Sequence, residues 1–318
     1  MKNRSIINGD FVRKEAIDVG FDACGIVPLQ PVNEAYSNVF LQWLHNIWHA
    51  DMEFMRQYLE KRLNPRLLMS GRANAAVVTL LSYKCDEASF KDSLRLSRCA
   101  YGQDYHEVVK KKLHQLRRNI QQKNPKVHGR TFVDSAPIME RYWAVQAGLG
   151  WIGKSGMLIS KQWGTFTFIG VLLLDAEVDG YDSPMNAEHC GTCNKCMEAC
   201  PTKAIVAPKV VNANLCISYQ TIERPRLEAN GKSIREAEKT RCRYIFGCDI
   251  CQNICPWNAK VPHHNHSQLT LQQELQQSNV DFWRNMNQDF FNEYFEHSTI
   301  ARTGLQGMKN NVSIALNE

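Results

Sequence analysis

The sequence predicts an α+β chain: a mixed half over residues 1–177, a cysteine-rich module over 178–262 and a short helical segment over 263–318 that completes the core. Two observations carry that division. Helix-like and strand-like stretches alternate through the first half, and nine of the twelve cysteines fall between Cys190 and Cys255.

In chain order, residues 10–20 read as a helix ending at Gly20, and 21–27 as a strand stopped by Pro28. Residues 33–60 are expected to be helical, with Trp43, Leu44, Ile47 and Trp48 recurring on faces that suit a core. Arg56, Lys61, Arg62, Arg66 and Arg72 then flank Pro65 ahead of an apolar strand over 75–81. The run Ser97-Arg98-Cys99-Ala100-Tyr101-Gly102-Gln103-Asp104-Tyr105-His106 leads into a helix whose Val109, Leu113, Leu116 and Ile120 share one face. Lys110, Lys111, Lys112, Arg117 and Arg118 fill the rest, a surface that could lie along phosphates or simply be solvated.

Residues 148–155 imitate nucleotide motifs. Gly148-Leu149-Gly150-Trp151-Ile152-Gly153 fits G-x-G-x-x-G, and with Lys154-Ser155 it also fits the phosphate loop. Such a loop follows a strand and opens a helix, so that free N–H groups face the phosphates. Here the order is reversed. A helix capped by Asp134 or Ser135 and running through Glu140, Trp143 and Ala147 precedes the glycines, and the chain after Lys154 is strand-like to Leu174. No nucleotide site is expected.

The cysteines carry the strongest signal. Cys190-x2-Cys193-x2-Cys196-x3-Cys200-Pro201 is answered by Cys248-x2-Cys251-x3-Cys255-Pro256. In such runs three thiolates wrap one cubane, and the cysteine before proline reaches a different cluster. Two [4Fe–4S] clusters in a ferredoxin-like module follow. One takes Cys190, Cys193, Cys196 and Cys255; the other takes Cys200, Cys248 and Cys251, with Cys216 or Cys242 as the fourth ligand. Thiols this dense do not suit independent disulfides, and a four-thiolate zinc site has no need of the x2, x2, x3-Pro run.

Composition is that of an ordinary globular chain: 318 residues, 44% hydrophobic and 22% charged. A net charge of +6 permits a polyanionic partner without requiring one. The first ten residues hold no apolar run and no stretch approaches the ~20 apolar residues of a membrane span, so a cytoplasmic protein without a membrane partner is expected.

Taken together, Val133-Asp134-Ser135-Ala136-Pro137-Ile138-Met139-Glu140-Arg141, the run from Ala147 to Lys154, the motif from Ala100 to His106, the cysteine runs with Cys216-Ile217-Ser218-Tyr219 between them, Cys255-Pro256-Trp257-Asn258 and the tail from Asn311 to Leu316 resemble the epoxyqueuosine reductase family over nearly the whole chain. The resemblance implies a cytosolic, cobalamin-dependent iron–sulfur enzyme that removes the epoxide oxygen of epoxyqueuosine in tRNA. It also implies an α/β corrinoid-binding domain of nitroreductase-like character, joined to the two-cluster module as in reductive dehalogenases.

The expected partners are the tRNA anticodon loop and an external electron donor such as flavodoxin or ferredoxin, and a monomer is expected. Residues 110–118 and those around Arg62 are the candidates for phosphate contact. Many members carry C-terminal helical repeats that contact tRNA; a chain ending at Glu318 is expected to lack them. The family's Cys-Ile-Ser-Tyr motif selects Cys216 as the missing ligand and leaves Cys242 spare.

By the same resemblance Asp134 is the proton donor, and its pKa is expected to be raised so that the proton is present at neutral pH. Arg141, Lys154, Ser155, Ser218 and Tyr219 are expected to line the corrin or its nucleotide tail. No histidine stands in the D-x-H-x-x-G arrangement, so no imidazole ligand to cobalt is expected, and His263, His264 and His266 read as a solvent-exposed loop. A small-molecule dehalogenase of the same architecture is the alternative, but respiratory members carry a twin-arginine leader that residues 1–10 lack. A plain electron carrier would not need the long first half.

Overall fold

A computed structural model describes residues 6–88, 90–185, 188–224 and 242–316. Its centre is a four-stranded sheet in the order Ala23–Pro28, Ala75–Ser82, Thr167–Leu174 and Gly129–Phe132, with every neighbouring pair antiparallel. All eight residues of Ala75–Ser82 are buried. Ala75, Val77 and Leu81 face helices Gly9–Asp18 and Tyr105–Lys123, while Ala76, Val78 and Leu80 face helices Glu34–His45 and Glu140–Gln146. A strand covered on both sides needs an unbroken apolar run, which is why this segment is so legible in the sequence. Of its two polar members, Thr79 donates to the carbonyl of Gly170 at 3.3 Å, and the backbone N–H of Ser82 donates to Asp22 Oδ2 at 2.7 Å. Gly170 has no room for a side chain, since a Cβ there would lie 2.9 Å from Val109.

The helix expected over 10–20 spans Gly9–Asp18, capped by Asn8 and ended by Gly20 at φ +91°. The basic helix spans Tyr105–Lys123 and buries Val109, Leu113, Leu116 and Ile120, as its periodicity requires. Two helix expectations need correction. Residues 33–60 hold helix Glu34–His45, a 3-10 turn at Glu53–Met55 and a helix beginning at Leu59. Ile47, Ala50 and Tyr58 between them sit at positive φ, and the break is held by bonds to the cysteine module, among them Ala213 N to Trp48 O at 2.8 Å. The helix placed after Asp134 or Ser135 starts only at Glu140, so neither residue caps it; Asp134 adopts φ +50° in a bend.

The module is joined to the first half by backbone and buried side chains. Strand Arg95–Leu96 pairs in parallel with Tyr244–Phe246, immediately ahead of Cys248. Asn258 donates to Thr165 Oγ1 and accepts from Thr165 N, both at 2.8 Å. The C-terminal helices Val280–Asn285, Gln288–Phe295 and Gly304–Ala315 close a third core with Trp283, Phe295 and Val312, shared with Leu96 and Tyr101 of the first half and Ile245 and Phe246 of the module. No helix among the described residues is long and apolar enough to cross a membrane.

Candidate functional site

The cysteines fall into two groups. Cys190, Cys193, Cys196 and Cys255 line one small cavity with Lys154 and Ser155. Cys200, Cys216, Cys248 and Cys251 form the second, each within electrostatic reach of others in the set. Burial pushes the Cys251 thiol up to about 12, with negative charge at Cys216, Asp249 and Cys200 adding to the shift. Thiols crowded in this way invite a cation, which deprotonates them outright on binding. Among the described residues no three His, Cys, Asp or Glu side chains converge on one ion. Sulfurs ranged round a cavity fit a cubane, whose iron and sulfide core holds its ligands apart. Cys242 is exposed at φ +51° and Cys216 lies beside Cys200, Cys248 and Cys251, so the geometry of the second group favours Cys216.

Lys154 donates to Gly191 O at 2.8 Å and Asn194 Oδ1 at 2.9 Å, which sets it and the buried Ser155 on the wall of the first cysteine cavity. Ser218 and Tyr219 follow Cys216, and their backbone N–H groups face its sulfur; the Tyr219 hydroxyl donates to Asp51 Oδ2 at 2.8 Å. Arg141 donates to Gly156 O at 3.0 Å. These five residues thus form three separate places, with Arg141 alone within electrostatic reach of Asp134.

Asp134 is the centre of a charged cluster. Tyr105 Oη donates to its Oδ2, and His106 Nε2 lies 3.5 Å from the same oxygen. On the far side of the ring His106 Nδ1 meets Asp104 Oδ1 at 2.6 Å. Tyr105 is clamped face to face on Phe168, with centroids 4.0 Å apart and planes at 2°. The Asp134 side chain is 64% exposed, whereas the imidazole is 27% exposed.

This arrangement corrects the expected charge state. The protein packed around the exposed Asp134 side chain would by itself raise its carboxyl, but interactions with His106 and Tyr105, together with the positive charges of the imidazolium and Arg141, outweigh that and hold the group at about 2. Burial likewise disfavours charged His106, yet the bonds and charges of Asp104 and Asp134 lift it to about 9. Glu140 takes the opposite course: burial, reinforced by the Asp134 charge, pushes its carboxyl up to about 8, and its Oε1 lies buried with no hydrogen-bond partner. At neutral pH the site therefore holds an anionic Asp134 between two protonated neighbours. Asp104, His106 and Glu140 were not singled out from the sequence; the Asp-Tyr-His triplet at the mouth of the basic helix was the available signal.

Two further expectations change. Arg62 is 7% exposed and donates inward to Phe54 O, so it is not part of a solvent-facing basic surface. In the histidine tract, His266 is 10% exposed with its Nε2 2.8 Å from Asp22 Oδ2, and His264 is half-buried with its N–H donating to Lys84 O, so only His263, 52% exposed, fits an open loop. On the basic helix, Lys112 and Arg117 bond the carbonyls of Val19 and Gly129, leaving Lys110, Lys111 and Arg118 exposed.

Comparison with known proteins accords with this division. Residues 189–258 match a 4Fe-4S double cluster binding domain, and residues 62–135 match the family described as epoxyqueuosine reductase QueG, DUF1730. The chain is 38% identical over 312 residues to an epoxyqueuosine reductase of Cyclobacterium marinum, covering 96% of each. It is 37% identical to that of Cellulophaga algicola, covering 96% of this chain and 97% of the relative. Among solved structures, epoxyqueuosine reductase of Streptococcus thermophilus superposes with a TM-score of 0.84 at 25% identity, over 96% of this chain and 80% of the other. An epoxyqueuosine reductase holding an epoxyqueuosine-modified stem loop of tyrosine tRNA gives 0.85 at 25% identity over the same shares.

Proposed function

The chain belongs to the epoxyqueuosine reductase family, and from that premise we propose that it reduces epoxyqueuosine in tRNA to queuosine with two [4Fe–4S] clusters and cobalamin. The observation that carries the reading is the Asp104–His106–Asp134 chain: Asp104 and His106 stand at the start of helix Tyr105–Lys123, a few residues past strand Arg95–Leu96 that pairs with Tyr244–Phe246 just ahead of Cys248, and Asp134 stands in the bend after strand Gly129–Phe132. Removing an epoxide oxygen to leave an alkene needs two electrons and two protons. Amino-acid side chains do not supply such electrons, and the two cysteine groups fit the clusters that do.

The side chains that would face a large amphipathic cofactor are exposed ones near this cluster: Asp134 is 64% exposed, and Phe54, 45% exposed, accepts through its carbonyl from Arg62, which lies within electrostatic reach of Glu140. When bound, cobalamin supplies a strongly reducing cobalt centre for the carbon–oxygen bond. Asp134, on its bend at φ +50°, is the group placed to hand a proton to the departing oxygen. Arg141 adds positive charge that eases development of negative charge on that oxygen.

Eight cysteines hold the clusters in this reading: Cys190, Cys193, Cys196 and Cys255 in one, Cys200, Cys216, Cys248 and Cys251 in the other. The anticodon loop is the substrate's recognised part, and an external flavodoxin or ferredoxin supplies electrons. The test is anaerobic turnover: the reconstituted protein, with cobalamin and a low-potential reductant, should convert epoxyqueuosine-containing tRNA to the nucleoside with one oxygen fewer. Conversion that proceeds unchanged without cobalamin would refute the reading.

A further inference from the structure

An inference that rests on this reading and deepens it comes from the imidazole of His106. The ring is bracketed by two carboxylates, Asp104 Oδ1 at 2.6 Å from Nδ1 and Asp134 Oδ2 at 3.5 Å from Nε2. Its freedom to turn is small. Asp104 also accepts from the His106 backbone N–H at 2.9 Å, and the Asp104 N–H donates to His297 O at 2.6 Å. Tyr105 stacks on the imidazole at 4.0 Å on one side and on Phe168 at 4.0 Å.

The charged groups facing this cluster come from every element around it. On the same helix Glu107 is held by His297; from the segment after strand Gly129–Phe132 come Asp134, Glu140 and Arg141; from the C-terminal part Arg302 faces Asp134 and is paired to Glu223. Asp134 accepts from Tyr105 and lies against an imidazole fixed in place for it, so its resting state is the carboxylate. A general acid cannot begin its work without a proton. The hydroxyl proton of Tyr105 lies closer to Oδ2, but burial and the Asp134 charge hold that phenol well above its ordinary value, so the acidic proton beside the carboxylate is the one on His106 Nε2.

We infer that His106 stores the proton that Asp134 delivers to the departing epoxide oxygen, with Asp104 as the positioning residue that keeps the imidazole charged. As the carbon–oxygen bond breaks, its electron pair goes to oxygen. The proton moves from His106 Nε2 to Asp134 Oδ2 and on to that oxygen. His106 is left neutral with Nδ1–H donating to Asp104, and solvent restores its proton. The two electrons come from the reductant of the proposed reaction, a second proton comes from solvent, and the oxygen leaves as water.

Two measurements on the cluster-loaded chain test this. In the first, 15N-histidine NMR follows the protonation of His106 without any turnover. The imidazolium should persist until about pH 9, and Asp104→Asn and Asp134→Asn should each bring its titration down by at least about one pH unit. Titration near the ordinary histidine value in the wild type, or indifference to both substitutions, overturns the inference. In the second, single-turnover rates on an epoxyqueuosine-modified stem loop are measured against pH. The wild type should slow above about pH 9, Asp104→Asn should move that limb to lower pH, and His106→Gln should lose it while falling by about 10² to 10⁴ in rate. A His106→Gln enzyme with wild-type rate and limb overturns the inference. Absence of conversion by the wild type would strike the proposed function instead, and the NMR titration still decides where the proton rests.

Discussion

Replacing Arg98 by methionine isolates one buried ion pair and puts a magnitude on the junction between the two halves. The Arg98 and Asp249 side chains are 6% and 1% exposed and meet at 3.0 Å, so solvent screening gives no discount. Arg98 also donates to Asn253 Oδ1 at 2.7 Å and Cys85 O at 2.9 Å, and its guanidinium lies 4.7 Å from the Phe166 ring centre. Methionine keeps the stem and removes all of these at once. Asp249 still accepts from Ser97 Oγ at 2.6 Å and the Arg98 backbone N–H at 2.9 Å, but its charge has lost its counter-ion. Breaking a buried pair from one side costs about 3–5 kcal/mol. At about 2 °C per kcal/mol for a chain of this size, the thermal midpoint should fall by roughly 6–10 °C. Circular dichroism melts at one scan rate on loaded protein read this directly. The double variant Arg98→Met, Asp249→Asn removes the stranded charge and should recover about half of the loss. A fall of less than about 2 °C for Arg98→Met, or a double variant as unstable as the single one, would show that the pair is not buried as described.

The remaining expectations are shorter. Stability should depend on pH through the same imidazole: His106 has a folded-state value raised from 6.5 to about 9, so its contribution is complete below about pH 6.5 and is lost as pH rises through 9. For Asp134, lowered from 3.8 to about 2, the contribution is present above about pH 4 and lost on the way down to 2; His106→Gln should flatten the alkaline loss in urea unfolding curves, and a curve unchanged by the substitution would count against the pairing. Iron analysis should give about eight irons per chain for Cys242→Ser and about four for Cys216→Ser, and the reverse pattern would exchange their roles. Neutralising Lys110, Lys111 and Arg118 together should lower the salt dependence of stem-loop binding by about 2 to 3 in logarithmic slope, since each phosphate contact contributes about 0.7 to 0.9. An unchanged slope would make that face a solvated surface.

The parts of the fold that could be read in advance are those where one physical demand acts locally. Ala75–Ser82 is apolar apart from Thr79 and Ser82 because both its faces are covered, and the helix Tyr105–Lys123 shows its buried face because only one side of it is. The cysteine groups were legible because a cubane fixes ligand spacing. What escaped detection depends on distant residues. Nothing between His45 and Leu59 signals a break, since no glycine or proline stands there; Ile47, Ala50 and Tyr58 adopt left-handed backbone because bonds to Ala213, Asn214 and Tyr219 compensate for it. His266 lost its solvent-exposed reading to Asp22, a partner 244 positions away. The charge of Asp134 could not be judged from its own motif, because the groups that set it are His106 and Tyr105 on a separate helix.

The short parallel pair of Arg95–Leu96 with Tyr244–Phe246 also sets an order of birth. The groups it brings together, Ser97 and Arg98 on one side and Asp249 on the other, are up to 152 positions apart. At about 5–20 residues per second, a ribosome needs roughly 8 to 30 s to travel that far. Throughout that interval the stretch from Leu96 to His106 has left the tunnel without the strand it pairs with, and the buried Leu96 and Tyr101 have no Ile245, Phe246 or Trp283 to cover them. The proton-handling loop is thus among the earlier pieces of the chain to be made and among the last to be shaped, so a nascent chain stalled before residue 244 would carry its acid and its imidazole without the framework that aligns them.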